Sequence, residues 1–485
     1  MRAKIASGLA WKVASQVFRQ LSRVVVVVIL ARLLTPEEYG LAAMVLVFSA
    51  LVLIFADLAL GAALVQREEL SEADRSTVFW TSAAVGTLFM LLGIAASWPI
   101  AAFYGEPEVQ PLFAALSVSF LVTALGTTQS ALLNREMQFR SLELRMMAGT
   151  LVGGTAGIVV AALGGGAWAI IVQQIAIATV STVLLWAFSP WRPRFTYSRH
   201  SLRSLGGFSL NVFGTRVLFY ANRNLDNLLI GRFLGPAALG AYAIAYNVML
   251  MPLARIAQPI VEVLFPAMSR IQDDRPRMAA MWLRANRMIG AITVPAMVGL
   301  IIVAPEFVAT LFGEKWAEAT PVIQILAWVG LLQSLQRLNS SVLLACDRTA
   351  TLLRYSIVVL AASVVAFVGG LHWGIVGVAT AYAISSTIVE PYYTWLTARV
   401  LDLRLVDFLR SLAGVAQATA GMAAVVLAAK MWVVPADLPA GVRLLIFVAL
   451  GAAAYLALVA WRSPELRRDV RGLRRSRSAP APQPA

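Results

Sequence analysis

"ARLLTPEEYG", residues 31–40, is answered much further along the chain by "GRFLGPAALG", residues 231–240. Arg32, Leu34, Pro36 and Gly40 return as Arg232, Leu234, Pro236 and Gly240 at one constant offset. Each stretch closes one apolar run and opens another. Proline suits the first turn of a helix and glycine the tight approach beside it. The pair therefore reads as one helix-to-helix connection written twice, and the fold follows from what lies on either side of it.

What lies on either side is hydrocarbon-like. Of 485 residues, 59% are hydrophobic and 13% charged, against about 25% charged in soluble domains. Mean hydropathy is +0.76. Apolar runs of about 20 residues, enough to cross a hydrocarbon core of about 30 Å, recur along nearly the whole length. The composition predicts an all-α polytopic membrane protein. A large soluble helical core would need charged outer faces that these runs lack. The net charge of +15 is dispersed over short loops and a tail. There is no basic stripe interleaved with aromatics, so nucleic acid is excluded as a partner. One cysteine, Cys346, permits no intrachain disulfide and reads as a packed or loop thiol. The opening "MRAKIASGLAWKVASQVFRQ" carries Lys12, Gln16 and Arg19 where a cleavable signal would be apolar, which predicts a retained first helix.

Breakers and hydropathy predict fourteen spans, at 9–31, 41–65, 77–103, 109–133, 146–163, 166–188, 207–231, 238–265, 288–312, 318–345, 352–371, 373–398, 411–433 and 441–461. With the N-terminus cytoplasmic, the inner segments carry 28 Lys and Arg and the outer loops four, namely Arg32, Arg232, Lys315 and Arg443. That asymmetry obeys the positive-inside rule and places both termini in the cytoplasm. The tail "RRDVRGLRRSRSAPAPQPA" is basic, then Pro/Ala-rich. It is expected to be disordered and to lie on anionic headgroups of the membrane lipids.

The opening pair sits at the outer ends of spans 1 and 7. Arg23 and Arg223 keep the same offset, and "SALLNREMQF" (130–139) finds a weaker echo in "SVLLACDRTA" (341–350) after spans 4 and 10. Two six-helix lobes in parallel repeat follow, residues 1–200 and 201–400. Two further helices occupy 401–461 and a cytoplasmic tail 462–485. Six spans is an even number, so the lobes share one orientation, as in transporters that bind between their halves.

Eight cations fall inside the spans: Lys12, Arg19, Arg23, Arg216, Arg223, Arg255, Arg337 and Lys430. Four acids, Asp57, Asp226, Glu262 and Glu390, stand against them. Each uncompensated charge at a helix centre costs roughly 2.5–3.5 kcal/mol, so most must face water, an acid or a ligand. Lys12, Gln16, Arg19 and Arg23 step by four, three and four along one face of span 1. In span 7, Arg216, Tyr220, Arg223 and Asn227 keep that rhythm, with Asn222 and Asp226 beside them. Arg23 lies about 13 Å below Arg32 at 1.5 Å per residue, near mid-membrane. The stripes would line a shared cavity, and an unneutralised cationic cavity suits an anion such as a diphosphate. The candidate binding residues are Lys12, Arg19, Arg23, Arg216, Asn222, Arg223 and Arg255, with Asp57, Asp226 and Glu262 as charge partners.

A plainer reading pairs Asp57 with Arg23, Asp226 with Arg223 and Glu262 with Arg255 as internal salt bridges. It cannot neutralise the set, because cations outnumber acids two to one. Lys12 and Lys430 near span ends can snorkel. Arg32 and Arg232 can serve the negative ends of their helices. Gly149, Gly153 and Gly157 make a close-packing face. Pro252, Pro259 and Pro266 should kink span 8. Trp98, Trp168, Trp373 and Trp461 fit an interfacial belt. His200 and His372 have no metal-ligand neighbours and there is no phosphate loop, so neither metal, cofactor nor ATP is expected.

"RQLSRVVVVVILARLLTPEEYGLAAMV" (19–45), "FADLALGAALVQRE" (55–68), "FYGEPEV" (103–109) and "LLNREMQF" (132–139) resemble the Wzx-type polysaccharide flippases, closest to the branch exporting colanic-acid or teichuronic-acid repeat units. The resemblance covers residues 5–400. It implies the multidrug/oligosaccharidyl-lipid/polysaccharide transporter superfamily and a MATE-like fold. The implied substrate is an undecaprenyl-diphosphate-linked oligosaccharide, moved from the cytoplasmic to the outer leaflet of a bacterial cytoplasmic (inner) membrane. Polymerase and export machinery would be partners. Related peptidoglycan-precursor flippases use arginines near spans 1, 2 and 7. Arg19, Arg23, Arg216 and Arg223 lie on comparable helices, whereas span 2 offers Asp57, which points away from the peptidoglycan branch. A cation-coupled multidrug exporter would need an acidic cavity, and the inventory here is reversed. A membrane glycosyltransferase or polymerase, an enzyme, would need a long loop carrying acids, and no connection is long enough.

Overall fold

The computed structural model describes residues 2–56, 61, 64–65, 67, 70–199, 210–253, 257–463 and 466. The regular secondary structure among the described residues is helical, with no strand. Nine of their helical segments are long and apolar enough to cross a membrane. Three of the nine, Val109–Arg135, Arg223–Pro252 and Thr349–Val400, each contain a break, the first at the turn Leu125–Gly126. Gly235 leaves helical geometry at φ 83°, and a 3-10 turn at Leu371–Trp373 precedes Gly374 at φ 67°. The chain divides into two units, Met1–Ala241 and Tyr242–Ala485.

The first unit contains α1 (Arg2–Leu33), α2 (Pro36–Ala56), α3 (Glu72–Tyr104), α4 (Val109–Ala124), α5 (Thr127–Arg135), α6 (Phe139–Ala162), α7 (Trp168–Phe188) and most of α8 (Leu210–Pro252). Its starts and stops are chemical. Pro36 begins α2, where Thr35 and Glu38 exchange capping bonds: the Thr35 N–H donates to Glu38 Oε2 at 2.7 Å and the Glu38 N–H to Thr35 Oγ1 at 3.2 Å. Ser71 and Asp74 form a capping box on α3, which Gly105 ends in the left-handed region at φ 77°. The glycine face predicted on span 5 packs on α7. A Cβ at Gly153 would lie 2.8 Å from the Gln173 carbonyl oxygen, and one at Gly157 3.0 Å from that of Ala169.

The second unit completes α8 and adds α9 (Gln258–Ser269), α10 (Arg275–Leu311), α11 (Ala319–Gln336), α12 (Asn339–Ala345), α13 (Thr349–Gly370), α14 (Gly374–Val400), α15 (Leu405–Ala428) and α16 (Ala440–Arg462). On span 8, α8 runs to Pro252, Leu253 and Ala257 are π-helical, and Pro259 stands in the first turn of α9; residues 254–256 between them lie outside the described residues. The core centres on Trp282, fully buried, which stacks on Phe408 at 4.9 Å and donates its indole N–H to Asn339 Oδ1 at 3.1 Å.

One backbone device appears in both units. After α5, the Gln138 N–H donates to the Leu133 carbonyl at 2.9 Å around Met137, whose φ is 55°. After α12, the Arg348 N–H donates to the Leu343 carbonyl at 2.8 Å around Asp347, also at φ 55°. Each is a left-handed helix stop made without glycine. The weaker sequence echo fell here. In the backbone its register is one residue shorter than the letters suggest, because Met137 corresponds to Asp347 and not to Arg348.

Candidate functional site

The cationic stripe of span 1 lies on α1, and its members part company. Arg19 forms an ion pair with Glu143 of α6, its Nη1 donating to Oε2, and its Nη2 donates to Gln16 Oε1 at 3.1 Å. Ser15 also donates to Glu143. The Arg19 and Glu143 side chains keep 16% and 12% exposure, so this is an interior pair. Arg23, one turn further, is exposed, and among the described residues it has no ionic partner. Lys12 lies on α1, but its side chain is outside the described residues.

The matching stripe lies on α8, where Arg223 is exposed like Arg23 and likewise has no ionic partner among the described residues. Tyr220 donates its hydroxyl to the Val47 carbonyl and so ties α8 to α2. Asp226 is buried at 2% exposure and its Oδ1 accepts the Asn227 N–H at 2.8 Å. The Arg216 and Asn222 side chains, and all of Asp57 and Arg255, lie outside the described residues. Glu262 is exposed on α9 and accepts from Gln258 Nε2 at 3.3 Å.

Above this stripe the two echoed turns meet. A Cβ on Gly40 would fall on the carbonyl of Pro236. One on Gly240 would fall on the carbonyl of Pro36 and reach 3.1 Å from the Gly40 nitrogen. Only hydrogen at both positions lets the two helix starts cross this closely. Arg232, at the end of the same segment, lies over the Phe103 and Phe233 rings at 6.0 and 5.9 Å.

Three charges escaped the sequence reading. Glu143 stands three residues before the start predicted for span 5, outside the acids that hydropathy places in the membrane. Its place on the face of α6 toward α1 makes it the partner of Arg19. Arg145 lies two residues on, within electrostatic reach of Glu143 and Arg19, and donates to Ser130 Oγ at 3.3 Å. Glu306, 3% exposed on α10, accepts from Lys430 Nζ at 2.9 Å, with Arg443 Nη1 at 3.9 Å. Lys430, expected to snorkel, turns inward instead. The π-helical turn Ala429–Val433 that ends α15 carries its amine to Glu306 and to the Ile302 carbonyl at 2.9 Å. Among the described residues no cluster of His, Cys, Asp or Glu could hold a metal ion.

The family model described as "Polysaccharide biosynthesis protein" matches residues 29–321. The teichuronic acid biosynthesis protein TuaB of Bacillus subtilis (strain 168) is 28% identical, over 96% of this chain and 97% of its own length. The lipopolysaccharide biosynthesis protein WzxC of Escherichia coli (strain K12) is 29% identical over 80% of each chain. Among solved structures, the lipid II flippase MurJ in its inward closed conformation matches with a TM-score of 0.75 at 17% identity, over 94% of this chain and 99% of that one. The last likeness concerns the fold.

Proposed function

We propose, from the premise that this chain belongs to the polysaccharide biosynthesis protein family, that it is a flippase for an undecaprenyl-diphosphate-linked oligosaccharide repeat unit. It moves the repeat unit from the cytoplasmic to the outer leaflet of a bacterial cytoplasmic membrane by alternating access. It is a transporter rather than a catalyst, and it supplies the polymerase and export machinery of a surface polysaccharide. The working topology has fourteen spans with both termini in the cytoplasm: two parallel six-helix lobes, then two C-terminal helices and a basic tail.

The observation that carries the reading is the division of labour between Arg19 and Arg23. Glu143 consumes the charge of Arg19, whereas Arg23 and its echo Arg223 stay exposed at matched positions on α1 and α8. Each is placed where an uncompensated cation costs roughly 2.5–3.5 kcal/mol. A diphosphate offers each guanidinium a charge-assisted, bidentate acceptor. Lys12, Arg216, Asn222 and Arg255 are assigned to the same polar lining, and Arg19 to holding α1 against α6.

Hydrogen bonds to charged groups contribute about 1.5–3 kcal/mol each. Replacing Arg23 and Arg223 together by alanine should therefore lower export at least about 10²-fold, since 1.4 kcal/mol is tenfold. The test is surface glycan on cells carrying the double variant, with the protein quantified in the membrane fraction. Lost glycan with normal membrane protein supports the assignment. Normal glycan removes it.

A further inference from the structure

The first unit contains a half-open cavity of about 790 Å³ between α2, α4, α5 and α7, with Arg145 of α6 at its edge. Ser130, Asn134, Gln174, Ser181 and Thr182 line it, and no carboxylate is among the described lining residues. Thr182 Oγ1 donates to the Val122 carbonyl at 2.9 Å. The Asn134, Gln174 and Ser181 side chains have no hydrogen bond among the described residues and stay available to a ligand. Between these polar groups stand apolar side chains, Phe120 and Ile177 among them.

Among the described residues, the charge at this cavity is not balanced. Glu143 and Arg145 are two residues apart on α6, about 200° around the helix. Glu143 therefore faces α1, where Arg19 and Ser15 hold it, while Arg145 faces the cavity. Among the described residues one carboxylate, Glu143, stands near both guanidiniums, and it is Arg19 that forms the ion pair with it. Arg145 makes one side-chain bond, to Ser130, and its buried Nε has no partner. A guanidinium held in the interior with an unused donor and, among the described residues, no ion-paired acid of its own calls for an anion.

Size and lining narrow the class. A small inorganic ion occupies on the order of the 30 Å³ share of one water and would leave this space nearly empty. The volume falls in the range of pockets that enclose an organic ligand. Alternating hydroxyl, amide and apolar wall fits a ring that carries hydroxyls at its edge and C–H groups on its faces. We infer that this cavity binds an acidic sugar, with Arg145 on its carboxylate and Asn134, Gln174 and Ser181 on its hydroxyls. The inference rests on the flippase reading in making that sugar part of the transported repeat unit. It deepens the reading by assigning an acidic residue to the glycan.

The test uses the purified full chain in nanodiscs of zwitterionic lipid, melted at constant ionic strength with sodium glucuronate, glucose, sodium chloride or sodium phosphate. Glucuronate at ten times its Kd should raise Tm by about 1–2 °C, glucose and chloride should not, and Arg145→Gln should abolish the rise. An equal rise with chloride or phosphate would overturn the proposal in favour of a small-anion site. A glucuronate rise that persists in Arg145→Gln would also overturn it. Should that variant fail to fold, Gln174→Leu and Ser181→Ala must diminish the rise, and an undiminished rise counts against the site. Failure of the flippase reading looks different: the glucuronate rise would depend on Arg145 while the Arg23/Arg223 double variant exports normally. Export lost in that double variant with no glucuronate rise would remove this site alone.

Discussion

Gly40 and Gly240 lie back to back, each over the carbonyl of the proline that starts the other's helix, Pro236 and Pro36. The echo in the sequence is thus a reciprocal contact in space, and the same proline and glycine are needed twice because each copy is the other's packing partner. Alanine at either position places a methyl on a backbone carbonyl, which cannot swing aside as a side chain can. We expect Gly40→Ala and Gly240→Ala each to cost about 1–3 kcal/mol. The double variant should cost less than the sum, because the first methyl already parts the turns that the second would meet. Gly299→Ala is the control, since its Cβ would meet only Met422 Cε at 3.9 Å. Melting temperatures of the four variants in detergent check all of this.

Arg19 and Glu143 should behave as a structural pair. Removing one partner of an interior ion pair leaves the other uncompensated and typically costs 3–5 kcal/mol, roughly, whereas removing both is close to neutral. Arg19→Leu alone should therefore lower the amount of folded protein in the membrane. Arg19→Leu with Glu143→Leu should restore it, and that double variant should still display surface glycan. Glycan lost from a well-folded Arg19/Glu143 double variant would move Arg19 back among the substrate ligands.

The segment after α7 is pinned to the start of α3 by backbone bonds. The Arg194 N–H donates to Ser76 Oγ at 3.2 Å and the Ser198 N–H to Thr77 Oγ1 at 2.9 Å. Trp80 donates its indole N–H to the Arg194 carbonyl at 2.9 Å, and Trp191 donates to Glu72 Oε1 at 2.9 Å. Ser76 and Thr77 are fully buried, so their hydroxyls have no water to fall back on. Ser76→Ala with Thr77→Val should speed hydrogen exchange at the Arg194 and Ser198 amides by roughly tenfold, about 1.4 kcal/mol of protection. Exchange at the Gly153 and Gly157 amides of α6 should not change.

Local rules made much of this legible from the letters. The glycine face at 149–157 packs where its spacing put it, and the turns at Pro36 and Pro236 begin helices as proline should. What stayed hidden depends on residues distant in sequence. Glu143 looked like a loop acid because hydropathy began its span three residues later, and only the approach of α1 gives it a partner. Arg145 fell outside the same boundary. The Gly40–Gly240 contact was visible as a repeat but not as an encounter, since an echo reports equivalence and not proximity. Lys430 was legible as a membrane cation in want of an acid, but its partner was not, because a helix ruler assumes 3.6 residues per turn and the π turn at 429–433 re-aims its side chain.

That turn leads to the last prediction. Glu306 receives Lys430 from the end of α15 and Arg443 from the first turn of α16, with exposures of 3%, 29% and 26%. Just inside, Val303, Met422, Val426, Ala429 and Phe447 close an apolar cluster between the same three helices. The cluster supplies non-directional attraction, and the carboxylate fixes where α15 and α16 stop along α10. Glu306→Gln leaves two cations facing a neutral amide and should cost roughly 3 kcal/mol. Glu306→Leu with Lys430→Leu should recover most of that, leaving Arg443 free to turn outward to the interface. If the triad sets the register of the C-terminal helices, the single variant will lose protection from protease at 434–439, between α15 and α16. It will keep protection at 313–318, after α10. Equal loss at both places would mean that Glu306 supports the whole second unit rather than the attachment of its last two helices.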